Sequence, residues 1–64
     1  MQSTEIRLLS LYRYGMTVDP ADRRAVERAQ ALVKRGLLAR TWDDGRPRYA
    51  ATPAGMAVLR EQGA

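Results

Sequence analysis

Arginine dominates the chemistry available to this chain. Arg23, Arg24, Arg28 and Arg35 recur within one stretch, and Arg46 and Arg48 flank a proline in the segment WDDGRPRYAATPAG, residues 42 to 55. A guanidinium presents planar, paired donors that match phosphate or carboxylate oxygens, and it stays charged at any physiological pH. Ten of the eleven basic residues are arginine, and the net charge divides as −1 over residues 1 to 22, +5 over 23 to 48 and 0 over 49 to 64. All of the positive excess therefore lies in one central stretch, and the chemistry it can do is anion binding.

Other chemistries are poorly provided for. The 64 residues contain no cysteine and no histidine, which removes thiolate nucleophiles, disulfides, the usual zinc ligands and imidazole acid-base catalysis together. Asp19, Asp22, Asp43 and Asp44 fit helix caps and turns, and Ser3 and Ser10 have no histidine to activate them. No enzyme activity, cofactor or metal is expected. No run approaches the roughly 20 apolar residues of a membrane span, and the start MQSTEIRLLSLYRYG does not read as a signal peptide, so the expected setting is the cytoplasm. The length allows a single domain, residues 1 to 64, near the lower limit for an unstapled core.

The elements that must position the arginines can be read from periodicity. Ser3 or Thr4 can cap a first helix running to about Tyr14, with Leu8, Leu9, Leu11 and Tyr12 on its apolar arc and Gly15 as its stop. In DPADRRAVERAQALVKRG, Asp19 reads as the N-cap and Pro20 as the first helical residue of a second helix that ends at Gly36. Its core side is Ala25, Val26, Ala29, Leu32 and Val33, with Arg24, Arg28, Ala31 and Arg35 stacked on the opposite side. After Gly36 the period changes to two. LLARTW and RPRYAAT flank Asp44-Gly45, a strong hairpin signal, which pairs Asp43 with Arg46, Trp42 with Pro47, Thr41 with Arg48 and Arg40 with Tyr49.

That register puts Leu38, Arg40, Trp42, Pro47, Tyr49 and Ala51 on one face, with Trp42 expected at the base of the hairpin against Pro47 or the helices. Arg46 and Arg48 fall on the other face, free to reach a ligand, and Pro47 suits an exposed edge. Thr52-Pro53 opens a last helix in which Gly55 permits close packing. The fold class is α+β, in the order helix, helix, hairpin, helix. Its expected core is Leu8, Leu9, Leu11, Tyr12, Val26, Ala29, Leu32, Val33, Leu37, Val58 and Leu59.

RGLLARTW followed by GRPRYAATPAG resembles the end of the recognition helix and the wing of winged helix-turn-helix regulators. The likeness is to the PadR family and, more loosely, to the MarR family, through Gly45, Arg46, Pro47, Arg48, Tyr49, Thr52, Pro53 and Gly55. The resemblance implies a small reduced winged-helix domain, a transcription regulator whose recognition helix is Asp19 to Arg35 and whose wing brings Arg46 and Arg48 to the sugar-phosphate backbone. It departs from the family at GMTV, where the first helix of the helix-turn-helix is missing or reduced to a turn. The family's dimerising region after the wing also has no counterpart before Ala64.

Two functions follow as expectations. In the first, duplex DNA is the partner: Arg24, Arg28, Arg35, Arg46 and Arg48 neutralise phosphates, while Arg23, Glu27 or Gln30 can reach base edges. In the second, the same arginines meet an acidic protein surface, as in an inhibitor of a host protein from a phage or mobile element, with Ile6, Tyr14 or Met16 as apolar anchors. A homodimer through the first helix, at Ile6 and Tyr14, would suit a core this small.

Overall fold

A computed structural model describes residues 3 to 63. These residues form a small α+β domain of three helices and a three-stranded antiparallel sheet. In order these are α1 (Ser3–Leu11), β1 (Met16–Thr17), α2 (Arg23–Lys34), β2 (Leu38–Asp43), β3 (Arg46–Ala51) and α3 (Pro53–Glu61), with the strands arranged β1-β3-β2.

The hairpin is the element the side-chain alternation defines best. Asp43 pairs with Arg46, Trp42 with Pro47, Thr41 with Arg48 and Arg40 with Tyr49, the register expected from a turn at Asp44-Gly45. Asp44 and Gly45 have φ of 53° and 77°, the two left-handed residues a type I′ turn requires. Thr52 caps α3 as expected. Its hydroxyl accepts from the Gly55 amide at 3.1 Å and donates to the Gly36 carbonyl at 2.6 Å, so one side chain closes the start of α3 and ties it to the end of α2.

The second helix begins later than Pro20. Asp22 is its N-cap, accepting from the Ala25 amide, and α2 starts at Arg23. Asp19 instead accepts from the Ala21 amide at 2.9 Å, and its carbonyl accepts from the Asp22 amide at 2.9 Å. The two aspartates thus divide the work: the first closes a turn over Pro20 and the second opens the helix. The first helix also ends early, at Leu11, and the chain turns through Tyr12 to Gly15.

Met16 and Thr17, in the segment where a helix-turn-helix would place a further helix, form a third strand against Tyr49 and Arg48. This makes β3 the central strand and corrects the reading of Pro47 as an edge residue. Val18 donates to the Pro47 carbonyl at 2.9 Å, and Pro47 has no N–H with which to answer the Val18 carbonyl. The β1 ladder therefore stops there.

The core gathers Leu9, Tyr12, Val18, Ala29, Leu32, Leu37, Leu38, Tyr49 and Leu59, with Leu8, Val26, Val33 and Val58 partly buried against it. Leu11 was expected inside and is 55% exposed, because α1 ends there and the chain rotates Tyr12 inward in its place. Val18, Leu38 and Tyr49 enter the core from the sheet, which the helix-centred reading left out. Burial pushes the Tyr12 hydroxyl above its usual value near 10, with Tyr49 and the Asp22 carboxylate adding to the shift. Tyr12 packs on the central strand, its ring 5.8 Å from that of Tyr49.

Candidate nucleic-acid interface

Arg23, Arg24 and Arg28 on α2, Arg35 at its C-cap and Arg46 at the hairpin are all exposed, whereas Arg48 is half-buried. The α2 arginines owe their position to the apolar side of the helix, where Ala29 and Leu32 are buried and so fix its rotation. The core side is the expected one, and the arginines divide about the side opposite it. The burial centres on Ala29, with Ala25, Val26, Leu32 and Val33 around it, so the opposite side carries Arg24, Glu27, Ala31 and Lys34, with Arg23 toward one shoulder. Arg28 and Arg35 lie on the other shoulder, the one that faces α1.

Arg28 and Arg35 accordingly line a groove of about 320 Å³ with Thr4, Glu5 and Leu8 of α1, floored by Leu32. Arg35 is paired with Glu5 there, the only ion pair among the described residues. The pair pins the C-terminal end of α2 to the first turn of α1. It also withdraws Arg35 from the set of uncommitted cations, leaving Arg23, Arg24, Arg28 and Lys34 on the helix.

The hairpin arginines separate as well. Arg46 is exposed beside the turn, but Arg48, on the same face, is docked. Its Nη2 donates to the Tyr14 carbonyl at 3.4 Å and lies 2.5 Å from where a Cβ on Gly15 would stand. Gly15 has φ of 95°, so glycine serves both the backbone conformation and the approach of the guanidinium. The expectation that both arginines are free holds by face but fails by contact, because strand β1 brings the Tyr14–Gly15 turn beside Arg48. Arg48→Ala should therefore lower stability by about 1 kcal/mol through lost packing and a lost charged hydrogen bond. Arg46→Ala should leave it within about 0.5 kcal/mol, and urea titration of the two variants checks the difference.

Trp42 is on the expected face but not at the expected depth. It is 64% exposed, and the Arg40 guanidinium carbon lies 5.5 Å from its ring centroid. Leu38 and Tyr49 fill the base of the hairpin under the helices, while residues 39 to 46 are all exposed. Alternation sets a residue's face, whereas burial on that face depends on how far the helices extend. Ile6, read as a surface anchor, packs partly against the core, while Tyr14 is 82% and Met16 36% exposed.

Among the described residues no cluster of three or more candidate ligands could hold a metal ion, and no helix is long and apolar enough to cross a membrane. No family model, curated protein or solved structure matches the chain.

Proposed function

We propose that this chain is a duplex-DNA-binding domain, a reduced winged helix acting in transcription regulation, in which α2 lies in a major groove and the β2-β3 hairpin follows the adjacent backbone. The observation that carries the reading is the group of exposed arginines on α2 and beside the hairpin turn, Arg23, Arg24, Arg28 and Arg46, for which no carboxylate partner is present among the described residues. They come from a helix and from the hairpin that follows it, and bidentate donors on two elements suit a chain of phosphates better than one small anion. Arg35 and Arg48 take supporting roles: the first fixes α2 against α1 and the second fixes the hairpin against the Tyr14–Gly15 turn.

Titration of a labelled duplex at several salt concentrations tests the proposal. Neutralising four phosphates gives a slope of about −3.6 for log affinity against log salt, and so a loss of about a hundredfold between 50 and 200 mM. Binding that does not change with salt, or no binding at the lower concentration, would count against it. A second reading, docking on an acidic protein surface, draws support from the exposure of Tyr14 and Trp42, which lie beside Arg13 and Arg40. One specific protein recovered from a lysate after nuclease treatment, with no DNA sequence enriched from a random pool, would select that reading.

A further inference from the structure

Strand β2 is an edge of the sheet, and its open side is well defined. The tight turn makes Asp43–Arg46 a hydrogen-bonded pair, and by alternation Thr41–Arg48 and Ala39–Ala50 are hydrogen-bonded too. The backbone N–H and C=O groups of Arg40 and Trp42 consequently point away from β3, into solvent. The bond from Val18 to the Pro47 carbonyl agrees, since it shows Pro47, which opposes Trp42, turning its backbone toward β1. An edge strand with five exposed residues in a row, 39 to 43, one of them an unburied tryptophan, is a surface that sheet proteins ordinarily cover or blunt.

We propose that this edge pairs with the same edge of a second copy, antiparallel, with Arg40 opposite Trp42 of the second copy and Thr41 opposite Thr41 at the two-fold axis. The occupant follows from the self-complementarity of the strand. In this register both outward-pointing residues exchange backbone bonds with the second copy. Two reciprocal Arg40–Trp42 contacts form on one face, extending across the interface the cation–π contact already present within β2. A Thr41–Thr41 pair forms on the other face, and Ala39 meets Asp43, so no like charges are opposed. Sliding by two residues in one direction sets Arg40 against Arg40. Sliding the other way places Arg40 opposite the turn residue Asp44, whose left-handed backbone breaks the ladder. The result is a continuous six-stranded sheet that brings two copies of the arginine-bearing hairpin side by side, and it moves self-association from α1 to β2. Pairing at this edge does not depend on what the arginines bind.

Because the chain has no cysteine, disulfide trapping reads the register cleanly. Thr41→Cys sits in a non-hydrogen-bonded pair with Cα atoms about 4.5 Å apart, within bridging range, and should form a covalent dimer under mild oxidation. Ala39→Cys lies on the same face of the same strand, but its two copies are about 14 Å apart in this register and should not cross-link. Sedimentation adds a measure that needs no oxidation. Trp42→Lys, opposing Arg40 twice per dimer, should weaken the unmodified dimer about tenfold or more, and Trp42→Glu should restore it. A wild-type chain that remains monomeric at several hundred micromolar, or equal cross-linking at positions 39 and 41, overturns the proposal. So does equal loss of the dimer in the Lys and Glu variants.

Discussion

Gly55→Ala is expected to lower stability by about 3 kcal/mol or more, enough to move the melting temperature of a domain this size by more than 10 °C. Gly55 is buried in the first turn of α3, and a Cβ added there would overlap the Leu37 carbonyl oxygen and stand 3.2 Å from both the Leu37 carbonyl carbon and Leu9 Cδ1. That carbonyl cannot simply retreat. It accepts the Thr52 amide at 3.1 Å, and Thr52 in turn caps α3 and holds the Gly36 carbonyl. Relieving the overlap means separating the start of α3 from the link between α2 and β2. A domain of this length has roughly 3 to 10 kcal/mol in total, so the alanine variant should lose from about a third to all of its stability. A thermal melt within about 2 °C of wild type would show that the helix packs less closely than described.

Tyr49 should produce two opposite results. It is fully buried on the central strand, with its ring set edge-on to Tyr12 at 5.8 Å between centroids, and Tyr49→Ala should lower stability by about 3 to 5 kcal/mol. Its hydroxyl, however, has no hydrogen-bond partner among the described residues. Removing a buried polar group that nothing satisfies relieves a desolvation penalty, so Tyr49→Phe should be neutral or stabilising by up to about 1 kcal/mol. Chemical denaturation of both variants separates the ring from the hydroxyl. A phenylalanine variant that loses more than about 1 kcal/mol would mean that the hydroxyl is bonded in solution, for example through a buried water.

These two residues also show what the sequence makes legible. Asp44-Gly45 and strict alternation settle the hairpin register, because a two-residue turn admits one pairing and a slip would invert every side chain. Thr52-Pro53 marks α3 for a similar local reason. The start of α2 was less accessible, since Asp19 and Asp22 are both good caps and only the pull of Val18 into the core and onto β3 decides between a turn and a helix. Two residues carry no period, so β1 was invisible, and with it the central place of β3 and the docking of Arg48. Trp42 could be assigned a face but not a depth. The exposed arginines were legible as a class. Which of them are committed elsewhere depended on contacts with Glu5 and Gly15, distant in sequence.

The proposed binding of duplex DNA rests on the uncommitted arginines of α2 and the hairpin. The most direct test compares the salt dependence of duplex affinity for the wild-type chain and for the triple variant Arg24→Ala, Arg28→Ala, Arg46→Ala, with circular dichroism to show that the fold is kept. Substitutions at exposed positions that make no described ion pair should leave stability nearly unchanged. The expected slopes are about −3.6 for wild type and about −0.9 for the variant, roughly one unit for each arginine removed. Equal slopes for the two proteins, or wild-type binding that does not weaken with salt, would contradict it.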